Sequence, residues 1–91
     1  MSTETAADPG LIARWIRPLR DYPGDPNARI VDTGIPVWAL VGHCRAVDWQ
    51  AALTAADYEL PREAVEAALA YYRQHREVID ARLAANSAQE A

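Results

Sequence analysis

Among the side chains of this 91-residue chain that could do acid–base, nucleophilic or metal chemistry are two histidines, one cysteine and thirteen carboxylates. His43 and Cys44 are adjacent, a pairing that suggests a nucleophile with its base, or two metal ligands. Neighbours on a helix point about 100° apart, so the two cannot converge on one atom. Cys44 falls on an apolar stripe and is expected to act as a small buried hydrophobe. His43 faces away from that stripe and suits surface or interface contact. His75 is remote from both, and no third ligand stands at metal-binding spacing. Asp57 and Glu59 place two carboxylates at the end of a helical pattern. No glycine-rich phosphate loop or Gly-x-Ser-x-Gly elbow accompanies them, and turn stabilisation accounts for them better than acid–base work. The residues predict no enzyme, no metal and no cofactor.

What remains is binding. Arg14, Arg17, Arg20 and Arg29 concentrate positive charge around Trp15. Three readings stay open: an arm for nucleic acid, a basic strand facing an acidic partner, or a solvated edge. Arg62 is the further candidate for contacting DNA, whereas Glu63 and Glu66 on the same helix repel phosphates. Trp38 lies off the apolar stripe beside Ala39 and Gly42, where its ring is expected to meet solvent. Exposed tryptophans beside small residues are common, and they are also typical interface anchors. Trp15, Trp38, His43 and Arg45 are therefore the candidate partner-binding residues.

Composition narrows the class. The formal net charge is −4 with no lysine, which disfavours general nucleic-acid binding without excluding a local patch. One cysteine allows no internal disulfide. No run approaches the roughly 20 apolar residues of a membrane span, and no cleavable leader pattern opens the chain, so a cytoplasmic protein without a membrane partner is expected. A chain this short buries only roughly 60–65% of the surface its unfolded form exposes. A homodimer is expected to add the missing burial through the N-terminal strand region and exposed aromatic rings.

These residues need elements to hold them. Residues 1–10 read as a disordered tail, 11–85 as a single domain and 86–91 as a frayed end. Leu11–Leu19 predicts an edge strand or a short helix ending before Pro18. The cluster Asp21-Tyr22-Pro23-Gly24-Asp25-Pro26-Asn27 predicts a loop, and Arg29-Ile30-Val31 a short strand. Helices are expected near Val37–Val47, Asp48–Ala56 with Asp48 as N-cap, and Pro61–Gln74. A bend at Gln74-His75-Arg76 precedes a helical extension over Glu77–Ala85, with Ile79 and Leu83 on its apolar stripe. The expected core is Val37, Leu40, Val41, Cys44, Leu53, Tyr58, Leu60, Val65, Leu69 and Tyr72, with Leu69 at its centre. The class is mainly α: three helices, a short N-terminal β element and a C-terminal extension.

Three segments carry a resemblance: Thr33-Gly34-Ile35-Pro36-Val37-Trp38, the turn Asp57-Tyr58-Glu59-Leu60, and Ala67-Ala68-Leu69-Ala70-Tyr71-Tyr72. In this order and spacing they resemble the bacterial family called domain of unknown function 433, whose members read G-T-R-I-P-V, then D-Y-x-L, then A-A-L-x-Y-Y. The resemblance spans Arg29 to Leu83. Departures are Asp32 in place of the family's Gly, Gly34 in place of its Arg, and Val47 where a Gly usually closes the first helix. The resemblance implies a homeodomain-like, helix-turn-helix trihelical fold. It also implies an antitoxin-like protein that neutralises a PIN-like ribonuclease toxin and represses its own operon, or alternatively a stand-alone DNA-binding regulator. No enzymatic activity is implied.

Overall fold

A computed structural model of the chain describes residues 9–17 and 24–90. Seven elements follow in order: α1 (Pro9–Trp15), β1 (Ile16–Arg17), β2 (Arg29–Ile30), α2 (Val37–Ala46), α3 (Ala51–Tyr58), α4 (Arg62–Gln74) and α5 (Arg76–Glu90). The protein is mainly helical with one two-stranded antiparallel sheet.

The N-terminal segment combines the two expected alternatives. A helix opens on Pro9, where a missing N–H costs nothing, and ends at Trp15. The chain then extends, and Ile16 and Arg17 pair with Ile30 and Arg29. Of the tail expected over residues 1–10, Pro9 and Gly10 instead belong to α1; residues 1–8 lie outside the described residues, as does Arg20. Before β2, Asp25 organises the turn: its Oδ1 accepts the Asn27 amide at 2.9 Å, and its carbonyl accepts the Tyr71 hydroxyl at 3.0 Å. The second bond fixes the loop to α4.

Between β2 and α2 the chain doubles back, with the Ile30 amide donating to Ile35 O and the Val37 amide to Ala28 O, both at 2.8 Å. This tight reversal needs left-handed backbone, supplied by Asp32 (φ 63°) and Gly34 (φ 75°). Asp32 stands where the family pattern has glycine, and aspartate is among the residues that tolerate this region.

Two helix ends differ from expectation for one reason. At the end of α2 the Trp49 amide donates to Cys44 O (2.7 Å) and the Asp48 amide to Arg45 O (3.2 Å). That is a Schellman closure, and Asp48 takes its left-handed position at φ 66°. Asp48 therefore terminates α2 instead of capping α3. Trp49 is also left-handed (φ 63°), so α3 starts only at Ala51 and runs to Tyr58. A second Schellman closure ends α3: Leu60 N–H to Ala55 O at 2.9 Å, Glu59 N–H to Ala56 O at 3.2 Å, with Glu59 at φ 57°.

α4 is the hub, packed against α1, α2, α3, α5 and β1. Its buried residues are Ala64, Val65, Ala67, Ala68, Ala70, Tyr71 and Tyr72. The alanines let four helices approach one axis, and the two tyrosines fill the space left over. The expected bend occurs at His75, after which α5 runs to Glu90, past the expected end at Ala85.

The core holds Val37, Leu40, Val41, Cys44, Val65 and Tyr72, as the helical spacing predicts, together with Ile16, Ile30 and Ile79. Leu53, expected inside, is 44% exposed. The late start of α3 turns Thr54 and Ala55 inward, and the Thr54 hydroxyl is satisfied by Gln50 O at 3.2 Å. Leu69 is only half-buried, so it is not central; its neighbours Ala68 and Ala70 face the packed side. Tyr58 and Leu60 are half-buried at the core's margin.

Candidate functional site

The candidate partner-binding side of α2 is covered by the chain's own α5. The Arg82 guanidinium lies 4.3 Å from the centre of the Trp38 ring, and Arg45 Nη2 donates to Asp80 Oδ1 at 3.1 Å. Gly42, between them, faces Leu83. Trp38 is thus half-buried against the core and does not stand in solvent as expected. His43 and Asp57 come together, with Nε2 2.8 Å from Oδ2, and the His43 ring meets Tyr58 edge-on at 5.2 Å. This pairing ties α2 to α3. Trp15 packs on the core, and its buried Nε1–H has no acceptor among the described residues.

The candidate DNA-binding arginines divide into two groups. Arg14 forms an ion pair with Glu63, and Arg62 donates to Glu66 at 3.1 Å, so both are partnered on the first turns of α4. Arg17 and Arg29 are exposed and stand opposite each other across the sheet. Like charges directly opposed on neighbouring strands are destabilising, and a shared anion relieves them. Arg17 also donates from Nη1 to Ala13 O at 3.2 Å.

Trp49 falls inside the helix expected over Asp48–Ala56, whereas the structure places it in the turn before α3 and gives it another role. The ring is 46% exposed, and it stacks on Tyr72 with centroids 6.0 Å apart and planes 21° apart. Arg45 lies 5.9 Å from the Trp49 ring centre and Arg76 lies 5.4 Å from that of Tyr72. The Tyr72 hydroxyl donates to Asp80 Oδ1 at 2.9 Å, the same oxygen that Arg45 holds, which fixes the tyrosine ring. Trp49, Leu69, Tyr72, Arg73 and Arg76 line an open cleft of about 490 Å³. Among the described residues the lining is apolar and cationic without a carboxylate, which suits binding an apolar group beside negative charge. The sequence held one signal for it: a tryptophan between Asp48 and Gln50, at a junction of two helices.

Among the described residues, no group of three or more His, Cys, Asp or Glu side chains could hold a metal ion. Among the same residues, no helix is long and apolar enough to cross a membrane. No curated protein and no solved structure matches the chain. The pattern of one family, described as "Protein of unknown function (DUF433)", matches residues 27–72, which run from the turn before β2 through most of α4. Half of the chain lies in that match, and both rings of the Trp49–Tyr72 stack lie inside it; the protein belongs to this DUF433 family.

Proposed function

We propose that this chain is an antitoxin-like interaction protein that neutralises a PIN-like ribonuclease toxin in the cytoplasm and, as a homodimer, represses its own operon. The observation that carries the protein-binding part is the Trp49 surface. Its ring is held outward and 46% exposed, beside guanidinium groups and a cleft. Tryptophan, tyrosine and arginine are the side chains that dominate protein–protein binding energy. The arginines that would feed a broad nucleic-acid surface are in part engaged, Arg14 by Glu63 and Arg62 by Glu66.

A second reading, a stand-alone DNA-binding regulator, is favoured by the facing pair Arg17 and Arg29. Under the antitoxin reading the same pair serves autorepression, with the N-terminal strands of two protomers side by side.

Co-expression with the nuclease encoded beside its gene tests the proposal. The parent protein is expected to restore growth arrested by that nuclease and to co-purify with it. Continued arrest, or a neighbouring gene that encodes no nuclease while the protein alone occupies its promoter, overturns the antitoxin reading in favour of the regulator.

A further inference from the structure

We infer that the cleft beside Trp49 seats an acidic segment of the protein partner: one apolar or aromatic side chain stacked on Trp49 and Leu69, with a flanking carboxylate on Arg76. The inference rests on the interaction-protein reading and assigns its chemistry to a place.

Three observations lead there. The first is what the chain sustains to present Trp49. Asp48 and Trp49 are successive non-glycine residues at φ 66° and 63°, a conformation that side chains disfavour. Their reward in the free chain is a large ring 46% exposed. Strained backbone that delivers an apolar side chain to solvent marks a surface shaped for something else to cover. The second is size: about 490 Å³ accepts a phenyl or indole group and lies within the roughly 300–1,000 Å³ of binding clefts. The third is charge. Arg76 lies exposed over the Tyr72 ring at the cleft, and none of the five lining residues is acidic. An occupant with carboxylates meets complementary charge on a preformed aromatic floor.

A nucleic-acid strand fits less well. It needs a track of cations that follows successive phosphates. Here the positive charge is one spot, bordered in sequence by Asp48 and Glu77, on a chain of net charge −4.

The test is fluorescence anisotropy with a labelled peptide, Asp-Glu-Phe-Asp-Glu, alongside NMR of the tryptophan indole N–H signals. Probes for comparison are the same peptide with lysine at each acidic position, and an oligothymidylate. Variants are Trp49→Ala and Arg76→Glu, both at exposed positions, with Arg62→Glu as a remote control. Unchanged circular dichroism and unfolding midpoints establish that each variant is folded. Saturable binding of the acidic peptide that shifts the Trp49 indole and weakens at least about tenfold in each cleft variant, but not in Arg62→Glu, is the expected result. Several outcomes overturn the inference: no saturable binding up to millimolar peptide, equal binding by Arg76→Glu, tighter binding of the oligothymidylate, or a dimer of the parent that Trp49→Ala dissolves. Growth rescue separates the two levels. Rescue by Trp49→Ala equal to the parent's removes the cleft and leaves the antitoxin reading standing. Peptide binding at the cleft with no rescue by the parent removes the antitoxin reading and leaves the cleft.

Discussion

Leu83 closes over Gly42 so tightly that a Cβ on the glycine would lie 2.9 Å from Leu83 Cδ2. On either side, Trp38 lies under Arg82 and Arg45 bonds to Asp80. Positions 38, 42 and 45 form one stripe of α2, and each meets α5. The family match ends at residue 72, yet the helix beyond it completes the domain. A surface that looks intermolecular in the sequence is an intramolecular joint.

The joint predicts where stability resides. Ile79, fully buried on α5, is expected to cost about 2–5 kcal/mol when truncated to alanine. Gly42→Leu is expected to cost about 1–3 kcal/mol by overpacking the same interface. Urea unfolding of the full chain measures both. Decreases below about 1 kcal/mol in both would mean that α5 does not pack on α2 in solution.

The same measurement discriminates inward from outward leucines. Leu53→Ala is expected to change stability by no more than about 0.5 kcal/mol, because that side chain already meets water. Leu69→Ala, half-buried at the cleft wall, is expected to cost about 1 kcal/mol, short of the 2–5 kcal/mol typical of a core leucine. A Leu53→Ala effect comparable to that of Ile79→Ala would place α3 in a different rotation.

How far these positions could be read in advance depends on which forces set them. Helical spacing alone put Val37, Leu40, Val41 and Cys44 inside, because burial follows a local period that sequence displays directly. The break at His75 and the strand at Arg29–Ile30 were legible for similar local reasons. Leu53 and Trp49 were not. Their orientation follows from the Schellman closure at the end of α2, made entirely of backbone bonds and without the glycine that normally advertises it. Trp38 was misplaced because what covers it, Arg82, belongs to a helix far along the chain, and no local pattern on α2 reports the arrival of another helix. The Trp49 cleft combines both difficulties, since α2, α3, α4 and α5 must all be placed before it exists.

Glu59 tests the turn chemistry directly. It holds the left-handed position after α3 at φ 57°, where a side chain costs about 1 kcal/mol relative to glycine. Glu59→Gly is expected to raise the unfolding free energy by about 1 kcal/mol. The side chain is exposed and makes no hydrogen bond or ion pair among the described residues that the change would remove. A lower stability would show that the Schellman geometry is not kept at this turn.

The final prediction concerns DNA and follows from which cations are engaged. Arg14 and Arg62 are held by Glu63 and Glu66, so moving them to phosphates means breaking an ion pair first. Arg17 and Arg29 have no carboxylate partner among the described residues, and they repel each other across the strands, so an anion between them gains on both counts. Promoter affinity measured at several salt concentrations is therefore expected to fall with salt. The Arg17→Ala/Arg29→Ala pair should reduce the log–log slope by roughly 0.9 for each phosphate that is no longer neutralised. Arg14→Ala/Arg62→Ala should leave the slope nearly unchanged. The reverse pattern would move the DNA-facing surface to α1 and the start of α4. Absence of promoter binding by the parent, alone and with its nuclease, would remove autorepression and leave partner neutralisation as the proposed role.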